Sequence, residues 1–258
     1  MNMPPRFLLE ASAIDFRDLA TRELEPVEVA VIDSGVDATH PDLAGRVVSQ
    51  WTVEGDVGQL AVQPLGTGIN NDTFGHGTAV AGIIARMAPN ARIHDIRVLD
   101  ARNKGDPTAS LVAFRHILAQ RLRLVNMSLA IPASQREPLY KLCESAYQRN
   151  QVVVAAKRNV PVTDEGLPAE FSSVISVDNH DLPSSYEVDF IGQGLIEFAA
   201  LGNELTVPAP GGGYTVKTGT SFATPTVCAM CCLFLGRWPE LRQFELKTIL
   251  KARADGID

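Results

Sequence analysis

The sequence predicts an α/β fold, a central and mostly parallel sheet flanked by helices, and three observations carry that reading. The run Val27-Glu28-Val29-Ala30-Val31-Ile32 is short, rich in β-branched residues and apolar at odd and even positions alike. Such a run suits a strand covered on both faces. Similar candidates recur at 92–99, 124–129, 152–156, 174–177 and 196–200. Between them lie helical patterns at 76–86, 109–120 and 137–150, and strands that alternate with helices build parallel sheets.

Taken in order, the first strand runs into Asp33-Ser34-Gly35, a turn-forming triplet at its carboxyl end. The helix at 76–86 opens on His76 between two glycines and continues as an Ala/Val/Ile run that would anchor it in a core. Farther on, 205–219 carries Pro208, Pro210 and Gly211-Gly212-Gly213 between short extended segments, which reads as a hairpin or loop excursion. An apolar helix at 222–235, reached through Gly219-Thr220-Ser221, and a last helix at 244–252 complete the pattern. No internal repeat, low-complexity tract or linker interrupts it, and 258 residues are within reach of one large domain with a well-buried core.

Composition narrows the function classes. With 45% hydrophobic and 21% charged residues, the chain reads as an ordinary globular protein. A net charge of -7 argues against nucleic acid and anionic membrane as partners, since both are held by clustered Lys and Arg. The opening residues lack a basic stretch followed by a long apolar one, and no apolar run is long enough to span a bilayer. Cys143 stands apart from Cys228, Cys231 and Cys232, and a disulfide within the latter group would strain a helix. A reduced, cytoplasmic protein is therefore expected, although a secreted mature domain beginning at an added Met would read the same. The Cys-x-x-Cys-Cys cluster lies in an apolar helix and lacks a fourth ligand, so small core residues are expected there rather than a metal site.

Three short segments carry the chemistry. Asp33-Ser34-Gly35-Val36-Asp37 follows a strand, where open α/β sheets place their sites. Asn71-Asp72-Thr73-Phe74-Gly75-His76-Gly77-Thr78 presents a histidine whose flanking glycines admit backbone and substrate. Gly219-Thr220-Ser221-Phe222-Ala223-Thr224-Pro225 sets a serine at the mouth of a helix, where backbone N–H groups and the helix dipole favour a developing negative charge. Each segment alone has a plain structural explanation: a turn, a satisfied histidine and a helix cap tolerating an early proline.

Together, in the order Asp, His, Ser, they resemble the three signature blocks of the subtilisin-like (subtilase) serine proteases. That order differs from the chymotrypsin-like and α/β-hydrolase orders, and sedolisins use Glu and Asp where this chain has His76. The resemblance runs from about Val27 to about Leu235. It implies a three-layer subtilisin-like fold in a single peptidase domain over 1–258; with 32 residues before Asp33 and 37 after Ser221, no propeptide and a short C-terminal tail are expected. It also implies a serine endopeptidase acting on a peptide or protein substrate. Asp33, His76 and Ser221 would form the triad, and Asn159 with the Ser221 N–H the oxyanion hole.

Two departures from the family stand out. Before Asn159 the chain reads Ala155-Ala156-Lys157-Arg158, where the family has small residues lining the pocket for the residue preceding the cleaved bond. Across that pocket, Ser128-Leu129-Ala130-Ile131 replaces a Ser-Leu-Gly-Gly or Ser-Trp-Gly-Gly. Ser128, Leu129, Ala130, Lys157 and Arg158 are thus expected to contact substrate in a narrowed, positively charged pocket favouring Asp, Glu or a small residue; the alternative is that Lys157 and Arg158 point to solvent. The calcium loop that commonly follows the His helix appears in no form between Met87 and Ala91, so no cofactor and no tight calcium site are expected. Narrow-specificity processing is the expected function. The alternatives are a catalytically weak or inactive peptide-binding protein and a peptide ligase or macrocyclase. Folding is open among three routes: unaided, with a partner protein, or within a longer parent polypeptide.

Overall fold

β1 (Val27–Asp33) occupies the middle of a nine-stranded sheet, paired in parallel with β4 (Ala91–Arg97) on one side and β5 (Leu124–Met127) on the other. Its two-sided apolarity serves both faces: Val27, Val29 and Val31 enter one core, Ala30 and Ile32 the other. The structure, a computed structural model, describes residues 11, 13–56, 58–159, 166–192 and 194–256. The first ten residues, read above for an export signal, lie outside the described residues.

Beyond β4 the sheet continues through β2 (Val47–Glu54) and β3 (Ala61–Pro64). Beyond β5 it continues through β6 (Val152–Ala156), β7 (Ile175–His180), β9 (Phe198–Leu201) and β8 (Val188–Phe190). The order is β3-β2-β4-β1-β5-β6-β7-β9-β8, with the edge strands β3 and β8 antiparallel to their neighbours and the inner pairs parallel. A separate antiparallel hairpin joins β10 (Leu205–Ala209) to β11 (Gly213–Lys217). Gly211 and Gly212 turn it with φ of 92° and 88°, a region glycine enters without steric cost.

Helices cover both faces, as the alternation predicts. On one side, α1 (Phe16–Ala20), α2 (His76–Met87), α5 (Thr220–Arg237) and α6 (Gln243–Ala254) share a core with β1, β4 and β6. On the other, α3 (Pro107–Gln120) and α4 (Arg136–Gln148) pack on the opposite side chains of the same strands. α5 is buried on nearly every side, as expected of a helix apolar all round. Its Cys228, Cys231 and Cys232 are buried free thiols, as is Cys143 on α4. Burial pushes the thiols up, Cys231 to about 12, so the reactive thiolate is suppressed and the residues serve as core.

Three strands, β2, β3 and β8, and a short helix go unread in the sequence. β2 is masked by polar residues, yet Gln50 and Thr52 on it are buried. β3 is an exposed edge, and α1 is one short turn-and-a-half docked through Phe16, whose ring meets Phe234 edge-on at 5.1 Å. Among the described residues no helix is long and apolar enough to cross a membrane.

Candidate active site

Asp33 is the last residue of β1 and fully buried. Its Oδ1 accepts hydrogen bonds from His76 Nδ1 and from Ser34 N, each at 2.7 Å. A carboxylate only accepts, so the imidazole carries its proton on Nδ1 and presents a lone pair at Nε2. Burial alone would depress His76; the charge and hydrogen bond of Asp33, with Asp72 behind it, outweigh burial and the opposing Lys217 and raise the imidazole above its usual value. Phe222 lies against the ring with centroids 5.2 Å apart.

The approach of α2 to β1 depends on glycine. A Cβ on Gly77 would stand 2.1 Å from Gly35 O and 3.1 Å from Asp33 Cβ, so a side chain there would drive the helix off the carboxylate. Gly75 precedes the helix in the left-handed region, φ 95°, and supplies no side-chain cap. Asp72 supplies one from three residues upstream. Its Oδ1 accepts from Ser34 Oγ (2.8 Å), Phe74 N (3.0 Å) and Gly75 N (2.7 Å), and its Oδ2 from Thr78 N (2.9 Å) and Thr78 Oγ1 (2.5 Å). Ser34 Oγ in turn accepts from Gly77 N at 3.0 Å. Sequence reasoning missed Asp72 and Ser34 as organisers; an Asp just ahead of a glycine-led helix was the available signal.

Ser221 is the second residue of α5. Its hydroxyl donates to Ser128 O at 3.1 Å, not to His76, while Ser128 Oγ donates to Ser221 O at 2.8 Å. Pro225 explains the second bond. It lies inside α5, deeper than the first turn, and has no N–H for the carbonyl four residues back. That carbonyl belongs to Ser221, and Ser128 fills the vacancy. Asn126 Nδ2 steadies Ser128 Oγ at 3.0 Å.

Asn159 lies beside this helix mouth. Its Oδ1 accepts from Thr220 Oγ1 at 3.2 Å and Thr220 N at 3.3 Å, while Thr220 Oγ1 also donates to Lys157 O at 2.7 Å. With the amide oxygen engaged, the Nδ2 end is the donor left to face the cleft. Gly219, φ 145°, would place a Cβ only 3.7 Å from either end of that amide.

A cavity of about 570 Å³ opens at Ser221, with Ser128, Leu129, Ala130 and Ile131 on one side and Ala156, Lys157, Arg158 and Asn159 on another. All five expected substrate-contact residues therefore line one space with Ser221 and Asn159. Neither Lys157 nor Arg158 points simply to solvent: both are half-buried. Lys157 Nζ pairs with Asp178 at 2.8 Å, and Arg158 Nη2 donates to Ile131 O at 3.5 Å. Among the described residues no group of three or more His, Cys, Asp or Glu is placed to hold a metal ion.

The family model for the subtilase family matches residues 25–257. The chain is 30% identical over 253 residues to the cell wall-associated protease of Bacillus subtilis (strain 168), covering 93% of this chain and 27% of that protein. It is 30% identical over 253 residues to Subtilisin DY of Bacillus licheniformis, covering 90% of this chain and 84% of that one. With Thermitase of Thermoactinomyces vulgaris the identity is 32% over 224 residues, 80% of this chain and 74% of the relative. It spans 60% of the length of Subtilisin E, and so only part of some curated relatives. Among solved structures, Sphericase superposes with a TM-score of 0.75 at 23% identity, covering 95% of this chain and 90% of that one, a likeness of fold. A cold adapted subtilisin-like serine proteinase superposes at 0.71 with 25% identity, covering 91% and 84%. With that fold, that site and a match spanning nearly its whole length, the chain belongs to the subtilase family.

Proposed function

We propose that this chain hydrolyses peptide bonds selectively, through Asp33, His76 and Ser221 and an acyl-enzyme intermediate. The observation that carries the reading is the buried 2.7 Å bond from His76 Nδ1 to Asp33, which leaves Nε2 as the basic nitrogen of a ring that lies 5.2 Å from that of Phe222, the residue after Ser221. A substrate amide taking Ser128 O as its acceptor displaces the Ser221 hydroxyl toward His76. Oγ then attacks the scissile carbonyl as its proton passes to Nε2, and the imidazolium formed is held by Asp33. Asn159 Nδ2 and Ser221 N receive the negative charge on the carbonyl oxygen. His76 returns the proton to the leaving amine, and water repeats the sequence to free the acid.

The selective part rests on the pocket wall. Lys157 Nζ pairs with Asp178, and Lys104 lines the cavity together with Arg158, whose guanidinium reaches Ile131 O on the facing segment. Arg158 narrows the space and suits a carboxylate. Asp, Glu or a small residue immediately before the scissile bond is therefore the preferred substrate feature. A peptide-library digest, with Ser221→Ala as the control, tests both statements. Cleavage by the parent alone, enriched after acidic or small residues, is expected. No cleavage by the folded parent would overturn the enzyme reading, and a clear preference for large apolar or basic residues would overturn the pocket reading.

A further inference from the structure

A second buried carboxylate lies on the strand next to Asp33. Asp95, in the middle of β4, pairs in register with Val31 of β1 and Gln50 of β2 and is fully buried. It has one long hydrogen bond, from Gln50 Nε2 to Oδ2 at 3.5 Å, and its Oδ1 has no partner among the described residues. The Asn71 amide sits close enough to act on the carboxyl yet short of a full bond, and its Nδ2 is likewise orphaned.

The two amides around Asp95 tie together the segments that carry the proposed base and its orienting acid. Gln50 Nε2 donates to Val36 O and to Ile69 O, each at 3.1 Å, and Gln50 Oε1 accepts from Ile69 N at 3.1 Å. Asn71 Oδ1 accepts from Val36 N at 2.7 Å. One side of this clamp is the turn after Asp33; the other is the segment leading to Asp72 and His76. A Cβ on Gly35 would meet Asn71 O at 2.5 Å, so the segments are already in contact.

We propose that Asp95 is a positioning residue of the catalytic machinery, a neutral carboxylic acid whose uncharged state keeps the Gln50–Asn71 clamp closed and whose ionisation loosens it. This rests on the endopeptidase reading above. An isolated charge is costly in such a place, and a neutral acid avoids the cost. Burial pushes the carboxyl up to about 8, the amides of Asn71 and Gln50 oppose this, and the charges of Asp72 and Asp33 add to it. The charged groups that act on it are Asp72 ahead of α2 and Asp33 on β1, and Arg97 follows it by two residues on β4. Arg97 is committed to Thr52 Oγ1 and Glu54 Oε1 of β2, while β2 offers Asp95 only the neutral Gln50. Ionisation would add a third carboxylate charge to a cluster that already holds two.

Because its folded value lies above the unfolded one, Asp95 holds its proton longer in the folded chain. Its contribution to stability is complete below about pH 4, declines as pH rises toward about 8, and changes no further above that. The test compares the full chain with Asp95→Asn by thermal unfolding and by kcat/KM, both against pH. The parent's midpoint should fall relative to the variant between about pH 4 and about 8, then run parallel to it. The parent's kcat/KM, scaled to its own maximum, should drop at least about fivefold between roughly pH 7.5 and 9.5, and the variant's by less than about twofold. Parallel stability curves throughout, the same alkaline limb in both chains, or a parent more active above pH 8 would each overturn the proposal. If Asp95→Asn does not fold, carbon-13 titration of the parent's Asp carboxyls decides: one titrating near 8 supports the proposal, and none above about 6 refutes it. The unfolding arm needs no turnover: an inactive chain would sink the enzyme reading and the positioning role with it, whereas parallel unfolding curves in an active chain would overturn only the claim made for Asp95.

Discussion

The two walls of the cleft are held in different ways. On the Asp33–His76 side the segments are densely cross-bonded, although Asp33 Oδ2 has no partner among the described residues: Asp72 alone accepts five hydrogen bonds, and Gly77 packs with no room for a methyl group. On the Asn159 side, Asn159 is exposed and is held, among the described residues, through Thr220, while Lys157 and Arg158 reach out to Asp178 and Ile131. The contrast separates two tasks. In the proposed mechanism, proton transfer to a His76 held by Asp33 needs a preorganised geometry, because a base misplaced by an ångström loses much of its effect. The wall that meets the substrate need only present a donor and a shaped surface, and it is there that this chain departs from its family.

Substitutions on the two walls should therefore fail differently. The larger effect belongs to Asn159→Ala, which removes the proposed oxyanion donor: turnover should fall by about 10² to 10³, a scale set by measurements on a subtilisin, with KM and the unfolding midpoint little changed. Steady-state kinetics beside a melting curve checks this. A smaller free-energy change, of the opposite kind, is expected for Gly77→Ala. The added methyl would collide with Gly35 O, so denaturant unfolding should show a loss of about 1–3 kcal/mol. If Asn159→Ala chiefly destabilised the fold, or Gly77→Ala were neutral, the division between the walls would not hold.

The sequence makes one of these walls far more legible than the other. Asp33, His76 and Ser221 stand out because each must be one residue type and each is set among small residues that let reactants approach. The parallel core is legible because β1 and β6 are apolar on both parities. Asp95 is not. An acid within the run 92–99 looks like an interruption of a strand, and its partners Gln50 and Asn71 come from other segments that only the fold brings to it. β2 is hidden for the same reason, since Gln50 and Thr52 give a polar pattern to a buried strand. Lys157 raises the charge of the pocket on paper, but Asp178 on β7 engages it across neighbouring strands, a pairing no local pattern announces. Pro225 misleads more gently: it reads as a first-turn proline, whereas its position leaves Ser221 O to be taken by Ser128.

The central claim is that Ser221 is a nucleophile served by His76 and Asp33, and the rate of fluorophosphonate labelling as a function of pH tests it most directly. His76 must be neutral to accept the proton, and its value is raised above the usual 6.5. Labelling should therefore map to Ser221, be absent in Ser221→Ala, and rise with pH through a midpoint above about 6.5. A folded parent that does not label, a label on another residue, or a midpoint below that value would contradict the account.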